Sequence, residues 1–79
     1  MGNSLAHLPQ GVPAKVLRLN CKKEYIDRLR DFGLVPGTQV TVRYRSPDRG
    51  VVALEFRGTV VAIRTRDLKG VQVQWMAER

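Results

Sequence analysis

The chain has little of the chemistry that most enzymes and metal sites need. Among its 79 residues there is one cysteine, Cys21, and one histidine, His7. One cysteine cannot form an internal disulfide, and this pair offers no zinc-type ligand spacing. The acidic residues are scattered among basic neighbours, and no glycine pattern of a phosphate-binding loop is present. We therefore expect no catalytic residues, no enzymatic activity, no cofactor and no dedicated metal site; any contact with a transition metal would be weak or indirect.

Long apolar runs are also missing. No stretch of the sequence approaches the ~20 apolar residues that cross a bilayer. The first ten residues have neither a basic start nor an apolar core, so we expect no signal peptide. Together with the lack of disulfides, this predicts a cytoplasmic protein that does not insert into a membrane.

What the chain does have is positive charge. Its 14 Lys and Arg residues against 7 Asp and Glu give a formal net charge of +7. Such a charge attracts anionic partners, which include nucleic acid, an anionic membrane surface and an acidic protein face. Charge alone does not choose among them. The length is that of one domain, which we expect to span residues 1–79 with a core from about 5 to 75.

The spacing of apolar residues predicts a mostly β fold with one or two short helices. Residues 22–32 have the period of a helix, with Asn20 or Cys21 as the N-cap and Gly33 as the stop. Single helical turns are predicted near residues 5–8 and 65–69. The predicted strands are 14–19, 39–45, 51–56, 59–64 and 71–75. Five short strands joined by tight connections predict a small barrel.

The predicted strand at 39–45 alternates cleanly between apolar and polar residues. The residues expected to face the core are Val40, Val42 and Tyr44. Arg43 and Arg45 are then expected to face outward, and Arg49 follows in the next loop. These three arginines are candidates for a positive strip that binds an acidic protein face or lipid headgroups. The alternative is an ordinary solvated strand face.

Three segments resemble the FeoA family. Residues 28–40, RLRDFGLVPGTQV, match its R-L-x-x-[apolar]-G-[apolar]-x-P-G-x-x-V pattern. Residues 58–64, GTVVAIR, match its G-x-x-[apolar]-A-[apolar]-R strand, and residues 5–16 match its L-x-x-L-x-x-G-x-x-A-x-V opening. The loop at 46–50 is shorter than in many members, which affects partner choice if that loop touches a partner. The resemblance implies a small SH3-like barrel.

The motif residues have physical roles that can be stated from the sequence. Leu29 and Phe32 are expected to anchor the helix on the barrel. Gly33 ends that helix, and the turn made by Pro36 and Gly37 directs the next strand into the core. Gly58 is expected in the tight reversal before the strand at 59–64.

The resemblance also implies a function. FeoA proteins act beside FeoB, a membrane transporter of ferrous iron with a cytoplasmic GTPase domain, so we expect an accessory that binds that cytoplasmic part and is recruited by it to the inner face of the membrane. The candidate partner-binding residues are Leu34, Val35, Arg43, Arg45, Arg49 and Arg64. Leu34 and Val35 either pack under the helix or line a groove for a partner peptide. Arg64 either binds the partner or braces the barrel. Trp75 and Met76 are expected to close the core, or else to contact a partner or a second copy in a weak homo-oligomer.

Three alternatives remain open. A small basic barrel can bind nucleic acid, but we expect none here, because the aromatic residues fall on predicted core faces and leave no platform on which bases could stack. These residues are Tyr25, Phe32, Tyr44 and Phe56. A detached SH3-like domain of an iron-dependent repressor and a general SH3-like adaptor for peptides are the others.

Overall fold

The computed structural model describes residues 2–76. Its strands are β1 (Gly2–Ser4), β2 (Pro13–Leu19), β3 (Gln39–Arg45), β4 (Val51–Phe56), β5 (Thr59–Arg64) and β6 (Val71–Trp75). One α-helix, α1, spans Lys23–Phe32, and single 3-10 turns lie at Leu5–His7 and Thr65–Leu68. The predicted strands, helix and turns are confirmed to within a residue or two. β1 was not predicted, because its three residues carry no apolar alternation.

The six strands form one antiparallel sheet in the order β1-β6-β2-β3-β4-β5. β1 and β5 are therefore the two edge strands. The sheet wraps around a single apolar core, to which the 3-10 turns and α1 add side chains. The core residues are Leu5, Ala6, Leu8, Ala14, Val16, Leu29, Leu34, Val40, Val42, Val52, Leu54, Phe56, Ile63, Leu68, Val71 and Val73.

A β-bulge in β3 reverses the expected faces of its last residues. Val42 pairs with Leu54 and Tyr44 pairs with Ala53, so Arg43 is an extra residue between two consecutive pairs. The extra residue turns Tyr44 outward, where 57% of it is exposed. Arg45 turns inward and is half-buried. The predictions that Tyr44 faces the core and that Arg45 faces solvent are therefore wrong.

Helix α1 starts later than predicted and has no side-chain cap. Its N-cap is Lys22, which makes no capping hydrogen bond. Asn20 is not the cap, because its backbone N–H donates to the carbonyl oxygen of Gly70 at 2.7 Å and so continues the strand. The helix ends as predicted at Gly33, whose φ of 96° is left-handed and is easily adopted without a Cβ.

The two expected anchors of α1 behave differently. Leu29 is 1% exposed and is the only residue of α1 that is buried in the described structure. Phe32, at the last position of the helix, is 43% exposed. The prediction of an anchor is confirmed for Leu29 and is wrong for Phe32.

The segment after α1 closes tightly against β2. Leu34 is fully buried, and its N–H donates to the carbonyl oxygen of Leu29 at 2.9 Å. Gly37 has a φ of 94°, as a turn of the predicted type requires. Its N–H donates to the carbonyl oxygen of Val16 at 2.8 Å. Pro36 and Gly37 thus form the predicted turn, and Leu34 cannot line an exposed groove.

Candidate functional site: a basic cavity

A cavity of about 530 Å³ lies between the loop that joins β3 to β4 and the 3-10 turn that follows β5. It is lined by Asp48, Arg49, Gly50, Val51, Arg64, Thr65, Arg66 and Lys69. Four of these residues are cationic, and we call this site, defined by Arg49, Arg64, Arg66 and Lys69, the basic cavity. It brings together Arg49 and Arg64, which were separate candidates in the sequence.

The first wall of the basic cavity is a loop held by one carboxylate. Oδ1 of Asp48 accepts hydrogen bonds from Oγ of Ser46 at 2.7 Å and from the N–H of Gly50 at 2.9 Å. These bonds, the Gly50 one first, hold the pKa of Asp48 below its usual value of 3.8. Asp48 is therefore ionised at neutral pH, and its charge serves its own loop. Arg49 follows it with a left-handed φ of 64°.

The second wall is fastened to the first by Thr65. Its backbone N–H donates to the carbonyl oxygen of Gly50 at 3.0 Å. Its hydroxyl donates to the carbonyl oxygen of Arg49 at 2.7 Å. Because Thr65 lies between Arg64 and Arg66 in the chain, these two bonds fix the relative positions of the two walls and of the backbone from which the charged side chains project.

The charges of the basic cavity are largely uncompensated. Within residues 2–76, Arg66 makes one long ion pair, with 4.0 Å between its Nε and Oδ1 of Asp67. Arg49, Arg64 and Lys69 make no ion pair in that part of the chain. The cavity lining carries four positive charges and one negative charge. Such an arrangement favours an anionic group, while Val51, 41% exposed, adds an apolar contact.

The other predicted partner-binding residues do not join this site. Arg43 is exposed, and its Nε lies 3.3 Å from Oε1 of Glu55. Arg45 donates two hydrogen bonds to backbone carbonyl groups, which is a structural role. Val35 lines a separate cavity of about 460 Å³. The sequence had not pointed to Arg66 and Lys69; their only signal was that they follow Arg64 within a few residues, in the 3-10 turn and directly after it.

Three aromatic side chains are more exposed than the sequence predicted. Tyr44 is turned outward by the bulge, Phe32 ends its helix beside solvent, and Trp75 is 45% exposed at the end of β6. Phe56, by contrast, is buried as predicted. The expectation that Trp75 closes the core is wrong. Because three aromatic rings are exposed, a lack of stacking surface can no longer be used as an argument against nucleic-acid binding.

Metal and thiol chemistry find little support in the described residues. Between residues 2 and 76, no three or more His, Cys, Asp or Glu side chains come together as they would around a metal ion. Cys21 is half-buried, and this burial raises the pKa of its thiol despite a hydrogen bond with the backbone of Gly70. The thiol is therefore held in its neutral, less reactive form. No helix between residues 2 and 76 has the length and apolar character of a membrane span.

The comparison with protein families decides the relationship. The FeoA domain model matches residues 3–74. The chain belongs to the FeoA family. The predicted family is therefore confirmed. This family is associated with ferrous-iron transport, in which its members are accessory proteins and not known enzymes. A search of curated proteins found no match.

Solved FeoA structures have the same fold. The FeoA-like protein of Clostridium acetobutylicum is 23% identical, with a TM-score of 0.89, over 99% of this chain and 91% of that one. FeoA of Stenotrophomonas maltophilia, a procaryotic SH3 domain protein solved with zinc, is 27% identical, with a TM-score of 0.78, over 90% of this chain and 88% of that one. The predicted SH3-like fold is confirmed.

The same fold also occurs as part of larger proteins. A manganese-dependent transcriptional repressor solved with manganese is 14% identical, with a TM-score of 0.87. The match covers 95% of this chain and 37% of the repressor. At this identity the likeness shows the fold alone, and the family match places this chain with FeoA.

Proposed function

We propose that this FeoA protein is a non-enzymatic accessory of ferrous-iron transport that binds the cytoplasmic part of a FeoB-type GTPase transporter through the basic cavity. The observation that carries this proposal is the meeting of Arg49 and Arg64 in one cavity with Arg66 and Lys69. Family membership supplies the transport context. The protein would act by binding alone, in the cytoplasm, where that part of the transporter lies.

The basic cavity is better suited to a carboxylate-rich protein face than to a diffuse anionic surface. The hydrogen bonds of Thr65 and Asp48 fix the backbone from which its cations project, so the concave shape of the site is set before binding. A backbone that is fixed before binding loses less entropy on binding than a flexible one. A partner that inserts one or two carboxylates would satisfy Arg49, Arg64 and Lys69 at once, and Val51 would contact apolar atoms beside them.

The test is a titration of the protein against the isolated cytoplasmic part of a FeoB-type transporter from the same organism, with GDP and with a non-hydrolysable GTP analogue. The cavity variant is Arg49→Glu with Lys69→Glu. The matched control is Lys15→Glu with Arg18→Glu, two exposed residues of β2 that make no ion pair within residues 2–76. Each double variant changes the net charge by −4, from +7 to +3.

We expect saturable binding by the unmodified protein and a loss of at least about tenfold for the cavity variant, or about 1.4 kcal/mol. The control should lose much less, since it changes the overall charge but not the cavity. Equal losses in both variants would show that net charge, and not this cavity, drives binding. Binding to single-stranded nucleic acid alone, with a steep dependence on salt, would contradict this proposal and support nucleic-acid binding as the function.

A further inference from the structure

The edge strand β5 presents free backbone groups. It pairs with β4 alone, from Phe56↔Thr59 to Val51↔Arg64. The two-residue turn between them makes Phe56 and Thr59 a hydrogen-bonded pair, and the bond from the N–H of Thr65 to Gly50 continues the same alternation at the other end. The N–H and C=O groups of the intervening alternate residues therefore point away from β4. These residues are Val60, Ala62 and Arg64.

This edge has neither the bulge nor the proline that protect many edges of natural sheets. Its register with β4 runs through six consecutive pairs with no shift, and the strand contains no proline. Bulges, prolines and inward-pointing charges are the common ways to prevent another strand from pairing. Val60 is 57% exposed and Ala62 is exposed. The solvent-facing side of the strand therefore carries apolar side chains next to the unpaired backbone edge.

A groove runs beside this free edge. Phe32 of α1 and Ala62 and Ile63 of β5 form the apolar part of a cavity of about 200 Å³ between the helix and the strand, and Arg28, Arg64 and Asp67 form its charged part. Phe32 is 43% exposed and is not used by the core. An added strand would place alternate side chains on its two faces, so that one set would meet Phe32 in this groove and the other set would lie beside Val60.

We propose that β5 is a docking edge at which an extended acidic segment of the protein partner pairs as a seventh strand. This inference rests on the proposed function, since it gives the manner in which the partner binds. Backbone hydrogen bonds would supply affinity, and the groove beside Phe32 would select apolar residues at alternate positions. Arg64 belongs both to this edge and to the basic cavity, so one bound segment can contact both.

Charge favours an acidic segment over a second copy of this chain. Arg57 precedes β5 and Arg64 ends it, and neither forms an ion pair within residues 2–76. The nearby carboxylate of Asp67 is already close to Arg28 and Arg66, at 3.9 and 4.0 Å. Two copies would bring net charges of +7 together, whereas carboxylates at the ends of an added strand would be attracted to the two free arginines.

Amide hydrogen exchange, measured by NMR residue by residue, tests the proposal directly. In the free protein, the amides of Val60, Ala62 and Arg64 should exchange fast, and those of Val61 and Ile63 should be protected by β4. Addition of the cytoplasmic part of the FeoB-type transporter should slow the three edge amides by at least about tenfold.

A substitution provides the second measurement. Ala62→Pro removes one donor from the open edge and none from the pairing with β4, a position where sheets tolerate proline. It should weaken binding to the transporter at least about tenfold, and Val60→Thr, which keeps the donor and the branched side chain, should not. If the proline variant does not fold, the exchange measurement on the unmodified protein still decides.

The outcomes separate the two proposals. Protection of the three edge amides on binding supports the docking edge. Binding without that protection overturns the docking edge and leaves the proposed function standing. An absence of binding overturns both, and protection that rises with protein concentration in the absence of the transporter shows that a second copy occupies the edge, which also overturns this proposal.

Discussion

Nη2 of Arg45 donates a hydrogen bond to the carbonyl oxygen of Leu8 at 2.6 Å. Nη1 of the same side chain donates to the carbonyl oxygen of Ala6 at 3.0 Å. The guanidinium group thus fastens the segment after β1, which carries three core residues, to the end of β3. The bulge at Arg43 makes this contact possible, because it turns Arg45 to the inner face.

We expect Arg45→Ala to lower the free energy of unfolding by about 2–3 kcal/mol, because charged hydrogen bonds are worth about 1.5–3 kcal/mol each and solvent replaces part of them. Arg43→Ala is the matched control, since its exposed ion pair with Glu55 is worth about 0–1 kcal/mol. Urea unfolding of both variants measures the difference. Similar losses for the two arginines would show that the bonds to the segment after β1 contribute no more than an exposed ion pair does.

The bulge also marks a limit of inference from sequence. The alternation from Val40 to Val42 predicted the faces of β3 correctly, because side chains in a regular strand alternate with period two. One inserted residue reverses every face beyond it. The residues RYR carry no proline or glycine that would signal a bulge, so the outward turn of Tyr44 and the inward turn of Arg45 depend on pairing with β4.

Helix α1 should depend on Leu29 far more than on Phe32. Leu29 is 1% exposed, so Leu29→Ala removes buried methyl groups and leaves a cavity, at a cost of about 2–5 kcal/mol. Phe32 is 43% exposed, and Phe32→Ala should cost less than half as much. Thermal unfolding monitored by circular dichroism compares the two. A larger loss for Phe32→Ala would mean that the ring packs into the core in solution.

The candidate site was half predictable for a similar reason. Arg49 and Arg64 attracted attention separately, one as a basic loop residue and one through a family motif. The hairpin of β4 and β5 pairs Val51 with Arg64 and so brings the two segments together, and the hydrogen bonds of Thr65 to Arg49 and Gly50 fasten them beyond the last strand pair. The two strands could be predicted from the pattern of their apolar residues, whereas the hydroxyl contact of Thr65 has no signal in the sequence pattern. Arg66 and Lys69 enter the basic cavity because they lie in and directly after the 3-10 turn that follows this strand pairing.

Asp48 gives the loop of the basic cavity a dependence on pH. Its pKa in the folded protein is below 3.8, owing first to the N–H of Gly50 and then to the hydroxyl of Ser46. A depressed folded pKa means that the stabilisation is fully present above the unfolded value and is lost as the pH falls through the folded value. The difference in stability between the unmodified protein and Asp48→Asn should therefore be constant near neutral pH and disappear below the folded pKa.

Urea unfolding of both proteins from about pH 7 to about pH 2 measures this difference. Ser46→Ala should shift the disappearance to higher pH, because it removes one of the two bonds that depress the pKa. A difference that grows as the pH falls would mean that the pKa of Asp48 is raised in the folded protein, contrary to the geometry of the loop.

Gly70 should be intolerant of any side chain, although its backbone conformation is an ordinary one. A Cβ at this position would collide with the carbonyl oxygen of Asn20 and lie 2.9 Å from Sγ of Cys21. The N–H of Asn20 donates to the carbonyl oxygen of Gly70 at 2.7 Å, so the two backbones cannot separate without breaking a hydrogen bond of the sheet. Overpacking of this kind costs about 1–3 kcal/mol or more, and we expect Gly70→Ala to lower the free energy of unfolding by at least that amount.

Gly50→Ala is the control, because its nearest neighbour is the side chain of Asp48 at 3.3 Å, and it should change the stability by less than about 1 kcal/mol. Equal stability of the two variants would show that the backbones at Asn20 and Gly70, next to β2 and β6, are farther apart than this packing requires.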